Sequence, residues 1–142
     1  MSREDARRDS PGWIPKVFYV SAVINWLVTT GTIIDPVGSA ALFGIAPPNY
    51  PFMARAWAGM AFLFGFMFVE IARDPLRKRA MIRYAWLEKV VSALSVTIGF
   101  FWGNAPVALF VIICLADWLW IPPFIHAGRV LEQRCRAREE SA

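Results

Sequence analysis

The chain has 142 residues, enough for one domain, and 57% of them are hydrophobic, with a mean hydropathy of +0.44. That is too apolar for an ordinary soluble domain and places the chain among integral membrane proteins, with the lipid bilayer as its first partner. A net charge of +4 and a pI near 9.5 would suit a nucleic-acid binder, but the charges sit at the ends of apolar runs, so no nucleic acid is expected.

Residues 1–12 mix Arg3, Glu4, Asp5, Arg7, Arg8 and Asp9 without apolar periodicity and read as a mobile tail, ended by Pro11 and Gly12. This mixed-charge start is a poor secretory signal peptide, and Trp13 suits a headgroup-level anchor. The first span, about 17–35, carries Ser21, Asn25, Thr29 and Thr32 at helical spacing, a stripe that usually serves helix packing. Asp35 and Pro36 end it. The connector from 36 to 51 is rich in Pro and Gly, with a short apolar piece, 39–43, that reads as one or two helical turns in the membrane interface.

The second span, about 52–72, has a small-residue stripe, Ala54, Ala58, Ala61 and Gly65, which lets a neighbouring backbone come close. Arg55 and Glu70 lie about 22 Å apart along this helix, too far to pair. Glu70 is expected to meet Arg73 or Arg83. For Arg55 the first reading is an ion pair with Asp35 and the second is an anion-binding arginine.

The third span, about 81–102, contains Glu88 and Lys89. At about 100° per residue Tyr84, Glu88, Ser92, Ser95 and Gly99 share a stripe that is expected to face other helices. A carboxylate facing lipid at the bilayer centre costs roughly 2.5 to 3.5 kcal/mol, so Glu88 turns inward on this reading. Lys89, adjacent in sequence, is not a natural partner for it, and its stem can snorkel toward the start of the helix. The fourth span, about 106–125, contains Asp117, and Pro122 with Pro123 should kink the helix just beyond that acid. Residues 130–142 form a charged tail, with a helical extension as the alternative.

All but Arg55 and Lys89 of the fifteen Lys and Arg lie in the N-terminal segment, around the loop between the second and third spans, or in the C-terminal segment. The positive-inside rule then predicts an all-α, integral membrane four-helix bundle with both termini cytoplasmic. In that topology Asn25, Glu88, Lys89 and Asp117 each lie roughly 10 to 13 Å from the cytoplasmic ends of their helices. Polar groups in one intramembrane layer mark proton relays, ligand counter-ions or catalytic acids, while interhelical structural bonding is an equally weighted reading. Cys114 and Cys135 form no CxxC pair and His126 is the only histidine, so no metal is expected, and no cofactor is assigned.

The Asn25-Trp26 pair in the first span, Leu42-Phe43-Gly44-Ile45 in the connector, Ala54-Arg55-Ala56-Trp57-Ala58-Gly59 and Leu87-Glu88-Lys89 together resemble the DoxX-like superfamily of four-helix bacterial membrane proteins. The chain is most similar there to the BphX-like proteins, over roughly 17–130. The resemblance implies a bacterial inner-membrane location and carries over Arg55, Glu88 and Lys89. BphX-like proteins are encoded beside aromatic-ring dioxygenase pathways, and some DoxX relatives belong to quinone-linked systems. The polar layer and this resemblance together lead to an expected pocket, with Asn25, Arg55, Glu88, Lys89 and Asp117 as ligand-binding residues, that binds or helps move a small apolar or aromatic molecule. A membrane-embedded isomerase or quinone-linked oxidoreductase, and a structural subunit of a membrane complex, are the alternatives. Transport would need a homo-oligomer or a membrane partner, because four helices enclose too little volume for an aqueous path.

Overall fold

The structure, a computed structural model, describes residues 10–140; most of the expected N-terminal tail and the last two residues lie outside the described residues. The described chain is all-helical, with four helical segments long and apolar enough to cross a membrane: Trp13–Ile34, Pro51–Arg73, Arg79–Phe101 and Val107–Glu140. This is the architecture of a multi-pass membrane protein, since only a structure that satisfies its own backbone hydrogen bonds can cross hydrocarbon.

Helix α1 (Trp13–Ile34) ends at Asp35, whose N–H still bonds the carbonyl of Gly31 at 2.9 Å. The Asp35 side chain begins α2 (Pro36–Leu42) by accepting the Gly38 N–H at 2.9 Å, and Pro36 occupies the first helical position, where a missing N–H costs nothing. Asp35→Ala is expected to lose about 1 kcal/mol of stability and to loosen the connector, measured as faster proteolysis between Gly31 and Tyr50. A side chain at Gly38 would meet that cap. The α2 turn closes at Gly44, in the left-handed conformation, as the N–H groups of Gly44 and Ile45 return to the carbonyls of Ala41 and Ala40.

Helix α3 (Pro51–Arg73) packs against α1 along most of its length, and α4 (Ile82–Phe101) pairs with α6 (Ile121–Glu140). The small-residue stripe of α3 faces this α1 contact: Ala58 is fully buried, and Gly65 lies directly under the indole of Trp26. Trp26 also donates through Nε1 to the carbonyl of Phe62 at 3.1 Å. Glu70 meets Arg73 at 3.3 Å on the exposed edge of α3, one of the two partners expected for it.

The fourth span is interrupted. Helix α5 (Val107–Ile113) passes into a π-helical turn, Cys114–Trp118, before α6 starts at Ile121. The irregular stretch therefore covers the place just beyond Asp117 where a kink was expected, Leu119 and Trp120, but begins earlier, at Cys114, and takes in Asp117 itself. The two prolines sit in the first turn of α6, where their missing N–H groups are tolerated, and the irregular backbone precedes them. The stretch from 130, expected as a mobile tail with a helical extension as the alternative, is helical as far as Glu140. Leu131 is fully buried, Val130 and Cys135 pack on the core, and Arg136 bridges Glu132 at 2.7 Å.

The apolar core occupies one half of the bundle, the end bearing the basic loop. There Ile14, Phe18, Phe68, Ile71, Ile82 and Phe124 are all but inaccessible. Phe18 stacks on Phe124 at 4.7 Å, with Phe68 tilted against both. Beyond this aromatic plug burial falls to small residues such as Ala58 and Ala93, and the bundle opens.

Candidate functional site

Directly above the aromatic plug three helical segments deliver polar side chains, Asn25 from α1, Glu88 and Lys89 from α4 and Asp117 from the π turn, while α3 supplies a backbone carbonyl. Lys89 is the hub. Only 5% exposed, its Nζ lies 3.1 Å from Asn25 Oδ1, 3.1 Å from Asp117 Oδ1 and 3.1 Å from Glu88 Oε2. The ammonium also faces the Phe68 ring, 5.5 Å from its centroid.

The orientation of Asn25 is fixed by chemistry. Its Nδ2 donates to the carbonyl of Ala61 and its Oδ1 accepts from Lys89; a flipped amide would oppose donor to donor and acceptor to acceptor. Its carbonyl accepts in turn from Thr29 Oγ1 at 2.6 Å. Glu88 is held less completely. Its Oε2 is close to Nζ, but the direction of approach suits the other oxygen, Oε1, at 3.5 Å. The pair is thus an electrostatic contact in which buried Oε2 accepts no directed hydrogen bond.

Two expectations are corrected here. The Lys89 stem does not snorkel to the helix start, and the lysine does partner Glu88. Two long side chains leaving Cα atoms 100° apart can still converge on a common point, and the inner charge of Asp117 draws the ammonium to it. The buried face of α4 is the stripe of Ile82, Ala85, Lys89 and Ala93. The stripe of Tyr84, Glu88, Ser92, Ser95 and Gly99 lies one residue round and lines an open groove between α3 and α4.

Arg55 is not part of this cluster. Its Nε donates to the carbonyl of Ile33 at 3.1 Å, satisfying one of the bare carbonyls at the end of α1. Asp35 is engaged in capping α2, so the expected ion pair between them is replaced by two separate side chain to backbone bonds.

The surroundings of the cluster are hollow. A cavity of about 40 Å³ adjoins Asn25, Glu88, Lys89 and Asp117, room for a water molecule or two among polar partners. Trp57, Ala61, Glu88 and Ser92 separate it from the groove between α3 and α4, which measures about 640 Å³. On the other side Ile24, Ala116 and Trp120 separate it from a second, apolar groove of about 570 Å³ between α1 and the fourth span. Phe64, which walls the first groove, carried no signal in the sequence beyond its place on an apolar helix, and Trp57 entered only as part of the motif opening the second span.

Chemically the cluster holds one ammonium against two carboxyl groups. When both carboxyls are ionised one negative charge is left over, which a proton or a ligand's donor group can answer. Among the described residues no third His, Cys, Asp or Glu joins Glu88 and Asp117. Compared with known proteins, the chain matches no family model, no curated protein and no solved structure at a significant level.

Proposed function

We propose that this is a protein of the bacterial inner membrane, with both termini cytoplasmic, that binds or helps move a small apolar or aromatic molecule in the groove between α3 and α4. The observation that carries the reading is the composition of that groove. Trp57, Phe64, Tyr84, Leu87 and Val91 form apolar and aromatic walls, and one carboxylate, Glu88, stands on the inner side, backed by Lys89 and Asp117. A concave, mostly apolar site of several hundred Å³ with one placed polar group is the usual form of a small-molecule site. The distribution of Lys and Arg supports the orientation. The likeness of Leu87-Glu88-Lys89 and its companions to the BphX-like proteins points to the same ligand class. A second reading, Glu88 as a general acid or base, is favoured by its place between the groove and a proton-bearing pair.

Native mass spectrometry of protein extracted gently from its own membrane tests the proposal. The wild type is expected to carry a discrete small molecule. Ser95→Trp, which fills the groove from an exposed position whose hydroxyl bonds only its own helix at the Val91 carbonyl, is expected to lose it. A bare wild-type chain, or equal occupancy in the Ser95→Trp protein, would overturn the reading.

A further inference from the structure

A further groove opens on the other side of α4 from the one shared with α3, between α4 and α6 at the end that bears the basic loop. Where α4 begins and α6 leaves the core, a groove of about 830 Å³ runs between them, with Ile82, Trp86, Phe124 and Ile125 on its inner wall. Its outer rim carries Arg77, Arg79, Arg83, Arg129 and Arg136 against only Glu132 and Glu139. Gly128 faces Ile82 across the floor, where the absent side chain keeps the groove deep.

The arginines are not equally engaged. Arg136 is neutralised by Glu132 at 2.7 Å, and Arg77 faces Asp74 at 3.9 Å. Arg79 donates to a neutral partner, the carbonyl of Leu76 at 3.1 Å. Arg83 donates to the Tyr84 hydroxyl at 2.8 Å and lies over that ring. Arg129 makes no ion pair or hydrogen bond among the described residues. Among the described residues three guanidinium groups on one rim therefore have no carboxylate partner, directly beside a Trp and Phe wall.

We propose that this groove binds an anionic glycerophospholipid, its phosphate at Arg79, Arg83 and Arg129 and the upper part of an acyl chain against Trp86 and Ile125. The pairing follows from the order of groups along α6. Ile125 and Arg129 are one turn apart, about 6 Å by helix rise, so the site changes from apolar to cationic over the distance at which a lipid changes from chain to headgroup. Guanidinium groups suit a phosphate through paired N–H donors. A free phosphate would use the rim and leave the wall bare, whereas a zwitterionic lipid would bring its own cation against the arginines. The inference uses the four-span architecture but not the ligand proposed for the α3 and α4 groove.

The test is lipid titration of the full chain in mild detergent, read by native mass spectrometry, with phosphatidylglycerol, phosphatidylcholine, inorganic phosphate and water-soluble glycerophosphoglycerol as probes. The wild type is expected to bind one phosphatidylglycerol at least tenfold more tightly than phosphatidylcholine, and neither soluble anion should displace it. At about fivefold in affinity per basic residue, Arg83→Gln/Arg129→Gln should weaken binding about 25-fold. Lys16→Gln/Lys78→Gln removes the same charge from residues that do not line the groove and should weaken it less than threefold. Arg129→Glu alone, at an exposed position without a partner among the described residues, should lose more than tenfold and serves if the double variant does not fold. Equal binding of the two lipids, equal losses in the groove and control variants, or displacement by either soluble anion would each overturn the proposal.

Discussion

Lys89→Met is expected to be the most damaging single change to the buried cluster, lowering stability by about 3 to 5 kcal/mol. The wild-type ammonium holds two carboxyl groups and one amide oxygen at 3.1 Å within a region only 5 to 7% exposed at Asn25, Lys89 and Asp117. Methionine keeps most of the stem volume but leaves Glu88 and Asp117 facing each other with no cation between them. The loss therefore measures uncompensated charge and not a packing defect. The triple variant Glu88→Gln/Lys89→Met/Asp117→Asn removes every formal charge and is expected to recover at least about 2 kcal/mol of the loss, a strong non-additivity. Reversible unfolding in mixed micelles by increasing dodecyl sulfate checks both. Should Lys89→Met prove no worse than Lys16→Met, the cluster does not hold ionised groups.

Gly65→Ala is expected to destabilise by about 1 to 3 kcal/mol although alanine is the better helix former. The new methyl would collide with Trp26 Nε1 and come within 2.7 Å of Cδ1 and Cε2, so the indole must leave its place against α3. Overpacking of this kind costs roughly 1 to 3 kcal/mol, and the hydrogen bond from Trp26 to Phe62 contributes about 1 more. Against these stands a gain of about 1 kcal/mol in helix propensity. The neighbouring Gly59 is the control: nothing lies within 4 Å of its would-be side chain, so Gly59→Ala should be neutral or stabilising. In the pair Gly65→Ala/Trp26→Ala the collision is absent, and the double variant should lose less than the sum of its parts. Additive losses would show that the two helices do not meet at this point. Because Asn25 neighbours Trp26 and bonds Ala61 of α3, the same contact sets the height of the polar layer.

The number of apolar helices was legible because hydropathy and the Pro and Gly breaks report chain length in hydrocarbon directly. The shared layer of Asn25, Glu88, Lys89 and Asp117 was legible for a related reason: 1.5 Å of rise per residue fixes the height of a side chain once the helix ends are known. Azimuth was not. Glu88 and Lys89 are equally polar and sit among equally apolar neighbours, and the choice between them was made by packing, since the small Ala85 and Ala93 flank Lys89 on the face that fits the bundle. The placement of Arg55 failed differently. Matching charge with charge overlooked the bare carbonyls at the end of α1, which are acceptors that no residue pattern announces. Pro122 and Pro123 pointed to an interruption in the right span, yet a π turn has no compositional marker of its own and lay upstream of them.

The bundle is plugged in one half by Phe18, Phe68 and Phe124 and open between α3 and α4 in the other. In a bilayer that open side is bathed by acyl chains, so the competing solvent in the groove is hydrocarbon and not water. An apolar molecule moving from the lipid into the groove then exchanges one oily neighbour for another, and its transfer free energy is close to nil. Oiliness would deliver many compounds to the protein and select none. Discrimination at such a site falls to the features lipid tails lack, the flat rings of Trp57 and Phe64 and the single carboxylate of Glu88.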